Sequence, residues 1–175
     1  MEKIYTSQTW IIFVYLLLPG IFPDNKFGVC LLVIWLAISA FCVYSLGNDL
    51  SKRLPIDSPL TVKKFNYFLL FMIIYMAVIN LFYPGGYSIN QDNYKEFGLA
   101  IYIVIPFHLF FFYCLFYTIW FIAKSIASIE NKKDVGFEYY IRNILLLFFL
   151  PIGIWWMHPK INRIFLEEHI ETFLE

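Results

Sequence analysis

His108 is the side chain best placed to do chemistry in this sequence: a titratable imidazole deep inside an apolar run, two residues after Pro106. An ionisable group far from water reads, at its sharpest, as a proton sensor, a relay or a pore lining. The plainer reading starts from Pro106, which leaves a carbonyl one turn earlier, near Tyr102, for the imidazole or a neighbouring hydroxyl to satisfy locally. No acidic residue shares that stretch to pass a proton on, so the structural role is the favoured one. Ser39, Asn66 and Asn80 are small polar groups inside or at the edges of other apolar runs. Such groups usually join helices through hydrogen bonds worth roughly 0.6 to 2 kcal/mol, with a selectivity role as the minority reading.

Other chemistries find little support. His108, His158 and His169 have neither paired spacing nor nearby carboxylates except at the acidic C-terminus, which argues against a metal site. Pro84-Gly85-Gly86 is a turn and cradles no phosphate, and no serine, cysteine or threonine has a nucleophile's context. Arg163 and His169 fit the loose Arg-x(4–6)-His spacing of ribonucleases built on a nucleotide-binding helical bundle. That family usually carries a polar side chain after the arginine, where this chain has Ile164, and the spacing reads as chance. The expectation is a non-enzyme with no cofactor. Thirteen basic and thirteen acidic residues cancel, which excludes the basic surplus that direct nucleic-acid binding requires.

The elements that must position these groups are membrane spans. Hydrophobic residues make up 61 % of the chain and aromatics 22 %, too much apolar surface for a water-soluble sphere. About twenty helical residues span a hydrocarbon core of roughly 30 Å. Apolar stretches of about that length cover residues 4–22, 27–46, 65–83 and 98–122. The first resembles a signal peptide in having Lys3 ahead of a short apolar core, yet Pro19-Gly20-Ile21-Phe22-Pro23 offers no small-x-small cleavage site, so a retained helix is expected. The short link Pro23-Asp24-Asn25-Lys26 makes the first two helices neighbours, residues 47–64 read as an exposed loop, and residues 123–130 continue the fourth helix into water. Cys30, Cys42 and Cys114 lie far apart within apolar stretches and read as packed thiols.

Residues 143–157 are too few for a straight crossing, and Pro151 and Gly153 interrupt them, so a re-entrant or interfacial segment is expected. Loop charge arbitrates, since short cytoplasmic loops collect Lys and Arg. Four spans with a dipping fifth segment put Lys3, Lys52, Arg53, Lys63, Lys64, Lys124, Lys132, Lys133, Lys160 and Arg163 on one side, leaving Lys26 and Lys95 on the other. The fold class is therefore all-α: a polytopic helical membrane protein forming one domain, with both termini cytoplasmic. Residues 159–175 alternate apolar and acidic positions as an amphipathic helix, with Pro159 in its first turn. An acidic polar face suits docking against the cytoplasmic loops or another subunit better than anionic lipid.

Phe148-Phe149-Leu150-Pro151-Ile152-Gly153-Ile154-Trp155-Trp156 followed by Pro159-Lys160-Ile161-Asn162 resembles a C-terminal pattern of small bacterial membrane proteins. Those proteins run Phe-Pro-Ile-Gly-Ile-Trp and then Pro-Arg-Ile-Asn; this chain has Leu150 before the proline and Lys160 for the arginine. In size and four-span layout the chain also resembles the membrane accessory protein encoded beside the RNA-guided nuclease of type VI-B CRISPR systems. That resemblance implies modulation of antiviral defence at the bacterial inner membrane by an oligomer that changes permeability. The functional expectation is thus an oligomeric accessory or pore-type effector, with a small transporter or permease component as the alternative. Its expected partners are the lipid bilayer, further copies of itself and a protein bound at the cytoplasmic loops and tail.

Overall fold

The computed structural model of the chain describes residues 15, 26–82 and 94–174. The expected span at 4–22 lies outside the described residues except for Tyr15, and so does the turn at 84–86. Among the described residues all regular structure is helical: α1 (Lys26–Lys52), α2 (Val62–Phe82), α3 (Tyr94–Asn131), α4 (Phe137–Phe148) and α5 (Leu150–Leu174). Among the described residues three stretches are long and apolar enough to cross a membrane, Cys30–Lys52, Val62–Ile79 and Val104–Asn131. Their outer faces expose Phe41, Leu70, Ile74, Phe107, Leu109 and Phe116, a surface that water penalises and acyl chains accept. The chain is a helical, membrane-associated protein.

Helix α1 runs six residues beyond its expected end at 46. Gly47 lies within the extended helix, and the Phe65 ring of α2 packs against its backbone where a Cβ would collide. Ser51 donates to the Asn48 carbonyl at 2.7 Å, and Lys52 pairs with Asp49 at 2.8 Å, so the added turn satisfies its own polar groups. The expected loop of residues 47–64 shrinks to 53–61. Phe65, fully buried, stacks on Phe121 of α3 with ring centres 4.6 Å apart. Around them Leu50, Leu69, Ile126, Met157 and Ile161 form one core cluster from α1, α2, α3 and α5, and Leu146 and Leu147 of α4 pack against it.

From Phe121 to Ser128, eight consecutive residues of α3 are buried. A helix covered on every side needs neighbours all round. Ala123, Ser125, Ala127 and Ser128 are small enough to admit α4 and α5 on flanks that α1 and α2 leave open. The helix ends as the sequence suggests, at Asn131, with Lys132 in the left-handed region at φ 53°. Lys132 N–H donates to the Ile129 carbonyl and Lys133 N–H to that of Ser128, which closes the last turn as a Schellman motif.

Residues 143–157 are no straight helix, as expected, but the reversal sits at Phe149, two residues before Pro151. Phe149 N–H still donates to the Leu145 carbonyl, while its own carbonyl accepts from Ile152 at 2.9 Å and Gly153 at 2.7 Å. One residue thus ends α4 and begins α5. Pro151 falls in the first turn of α5, where its missing N–H has no intrahelical role. Gly153 packs against the Leu146 backbone so closely that no Cβ fits, which holds α4 and α5 together as an antiparallel hairpin. The tail departs from expectation at its start: α5 runs unbroken through Pro159, which lies in its interior and not in its first turn. Ile161 and Ile164 turn into the core, and the Arg53 guanidinium lies 4.2 Å from the centre of the Phe165 ring.

Candidate functional site

Helices α2 and α3 are held in register by aromatic pairs that climb their common face. Phe65 meets Phe121, Phe68 meets Tyr117 at 4.7 Å, and Phe71 meets Phe110 at 4.7 Å. Positions 65, 68, 71 and 75 recur every three or four residues, so they share one side of α2. Each such pair contributes about 0.5–1.5 kcal/mol beyond area burial. At the top of this ladder stand Tyr75 and His108.

The Tyr75 hydroxyl lies 2.7 Å from His108 Nδ1. Either the phenol donates to Nδ1 with the imidazole proton on Nε2, or Nδ1–H donates to the phenol oxygen. Tyr75 is buried at 9 % exposure, whereas His108 lies on the outer surface of α3. Phe112 packs edge-on to the imidazole at 5.1 Å, and Phe111 lies 5.3 Å from the Tyr75 ring. Eleven residues separate Lys64 from Tyr75, about 16 Å of helix, so the pair sits about half a bilayer away from the lysine-bearing end of α2. Helix α3 runs continuously through Pro106, and the partner of His108 comes from another helix rather than from the turn around Tyr102.

The remaining candidates belong to separate clusters. Ser39 donates to the carbonyl of Trp35 at 2.8 Å and meets the Tyr15 hydroxyl at 3.0 Å; Trp35 Nε1 donates to the Tyr15 carbonyl at 3.0 Å. Asn66 and Asn48 exchange amide hydrogen bonds at 3.1 and 3.2 Å and tie α1 to α2 beside Lys63. The structure therefore does not bring Ser39 and Asn66 to His108. The side chain of Asn80 lies outside the described residues. Among the described residues no further side chain continues the Tyr75–His108 hydrogen bond, so it stands as an isolated pair between α2 and α3 and not as part of a proton wire.

A second polar cluster escapes sequence reasoning. Glu130, at the end of α3, receives Lys160 at 2.7 Å and Arg163 at 3.1 Å from α5. Lys160 also donates to Asn143 Oδ1 at 3.2 Å, and the Asn143 amide, 1 % exposed, donates to the Ala123 carbonyl at 3.2 Å. Nearby, Lys124 pairs with Asp134 at 2.9 Å, and Trp120 Nε1 donates to the Tyr140 hydroxyl at 3.2 Å. The available signal was Asn143 on the same helical face as Tyr140, and Lys160 three residues before Arg163. Nothing in the sequence pointed to Glu130 as their common partner. This cluster joins α3, α4 and α5 at the Lys- and Arg-rich end of the bundle, so its chemistry is that of a clamp.

No protein-family model, curated protein or solved structure matches the chain.

Proposed function

We propose that the chain is a non-enzymatic bacterial inner-membrane protein that self-assembles and modulates membrane permeability. The setting is antiviral defence, as the resemblance to the type VI-B accessory protein implies. One observation supports the reading: the His108 imidazole is exposed on the outer surface of α3, within a stretch apolar enough to span a bilayer, with only Nδ1 bonded among the described residues. A polar nitrogen left to hydrocarbon is costly, and a neighbouring copy packed over it removes that cost. Assembly through this face also places several imidazoles around a shared path, which a single chain with so few intramembrane polar groups does not enclose.

In this reading residues 4–22 supply a fourth span and the hairpin of α4 and α5 dips into one leaflet. Phe148 stacks on Phe116 at 6.2 Å, and Phe116 lies five residues, about 7.5 Å, further into the bilayer than Phe121. The clamp of Glu130 with Lys160 and Arg163 then faces the cytoplasm together with the lysines of the second loop, in keeping with the loop-charge rule. Flux of a small cation from liposomes, measured beside the oligomeric state of the reconstituted protein, tests the proposal. It fails if the wild-type chain is monomeric in the bilayer and the liposomes stay tight.

A further inference from the structure

Between α1 and α2, on the outer surface of the bundle, runs an open groove of about 690 Å³, within the range of about 300–1,000 Å³ typical of small-molecule sites. Its walls repeat at helical spacing: Ala37, Ala40, Phe41 and Tyr44 on α1, and Asn66, Leu70 and Ile73 on α2. The two alanines make the depression, because larger side chains there would fill it. Polarity is graded along its length. Lys63, Asn66, Tyr67 and Tyr44 gather at one end, while Ala37, Phe41, Leu70 and Ile73 form the other. Ten residues separate Lys63 from Ile73, about 15 Å of helix, which matches one leaflet of a hydrocarbon core of roughly 30 Å.

The geometry points to a binding site for a single phospholipid with an anionic headgroup, its phosphate against Lys63 and one acyl chain laid over Ala40 toward Ile73. The exposed ammonium supplies the charge complementarity, and the tyrosine hydroxyls and the Asn66 amide supply donors at headgroup level. Tyr15 is engaged elsewhere. It is held by Trp35 and Ser39, and at about 100° per residue Ala37 and Tyr44 lie about 200° and 140° round α1 from those two positions. The site is independent of His108 and of the permeability proposal.

Native mass spectrometry of the full chain, equilibrated in detergent with equal amounts of dioleoyl phosphatidylglycerol and dioleoyl phosphatidylcholine, tests it. The wild-type chain should retain one phosphatidylglycerol in preference to phosphatidylcholine. Lys63→Gln, an exposed change that leaves the fold alone, should cut that preference about fivefold, the effect of one basic residue at a lipid surface. Ala40→Phe should displace both lipids from the groove, while Leu109→Phe on the exposed face of α3 should match wild type; equal helicity by circular dichroism shows that each variant folds. Equal retention of the two lipids by the wild-type chain overturns the proposal. So does an unchanged preference in Lys63→Gln, or Ala40→Phe converting an oligomer to a monomer with lipid retention unaltered, which would assign the groove to a second copy.

Discussion

Replacing Tyr75 and His108 by phenylalanine, singly and together, measures the bond between α2 and α3. Each single change keeps the ring bulk and removes one partner of the 2.7 Å contact. Interhelical side-chain hydrogen bonds within membranes average about 0.6 kcal/mol and reach about 1.7. A contact this short, with Tyr75 buried beneath α3, belongs in the upper half, so a coupling of about 1–1.7 kcal/mol is expected from the double-mutant cycle. Each single variant orphans one polar group: Tyr75→Phe leaves the imidazole, and His108→Phe leaves the buried Tyr75 hydroxyl, with no partner among the described residues, so both should lose stability. Reversible unfolding in detergent, each variant measured at one pH, gives the four free energies. A coupling below about 0.3 kcal/mol would refute the reasoning, because the bond would then contribute no more than its absence. Liposome flux on the same proteins separates the roles: loss of flux in folded, assembled His108→Phe places the imidazole in the path, and flux at the wild-type level removes it.

The hairpin of α4 and α5 makes sharper demands. Gly153→Ala sets a methyl against the Leu146 backbone and should cost about 1–3 kcal/mol in a thermal melt, whereas Pro151→Ala, exposed in the first turn of α5, should stay within about 0.5. Lys132→Gly should stabilise by about 1 kcal/mol, since the left-handed φ of 53° suits glycine; a loss on chemical denaturation would contradict the Schellman assignment. Glu130→Gln weakens two ion pairs at once and should destabilise by about 1–2 kcal/mol at low salt, with the deficit shrinking as salt rises; a salt-independent deficit would point to packing instead. With Cys30, Cys42 and Cys114 replaced by serine, cysteines introduced at Asp57 and Ile170 should react with an impermeant reagent from the same side of the membrane. Labelling from opposite sides would establish an additional crossing between them.

Apolar run length, breaker residues and the sorting of basic residues are properties of the chain read in order, and they were legible before any contact was known. Hydropathy located the segments that became α1, α2 and α3, because insertion free energy sums over neighbouring residues whatever surrounds them. The continuation of α3 to Asn131 and the break within residues 143–157 were legible from polar and breaker residues, whereas the burial of residues 121–128 within the bundle, where an extension into water was expected, was not. What the chain in order does not encode is the register between helices. Tyr75 meets His108 across 33 residues and Glu130 meets Lys160 across 30, distances at which no periodicity constrains one position against another. Those meetings are decided by the stacking of Phe65 on Phe121 and the close approach at Gly47, which set how far α2 slides along its neighbours. The reversal at Phe149 has a like cause. Pro151 signalled that a helix would not pass, but Gly153 against the Leu146 backbone chose the residue at which the chain turned, because close packing is a relation between two segments and no property of either alone.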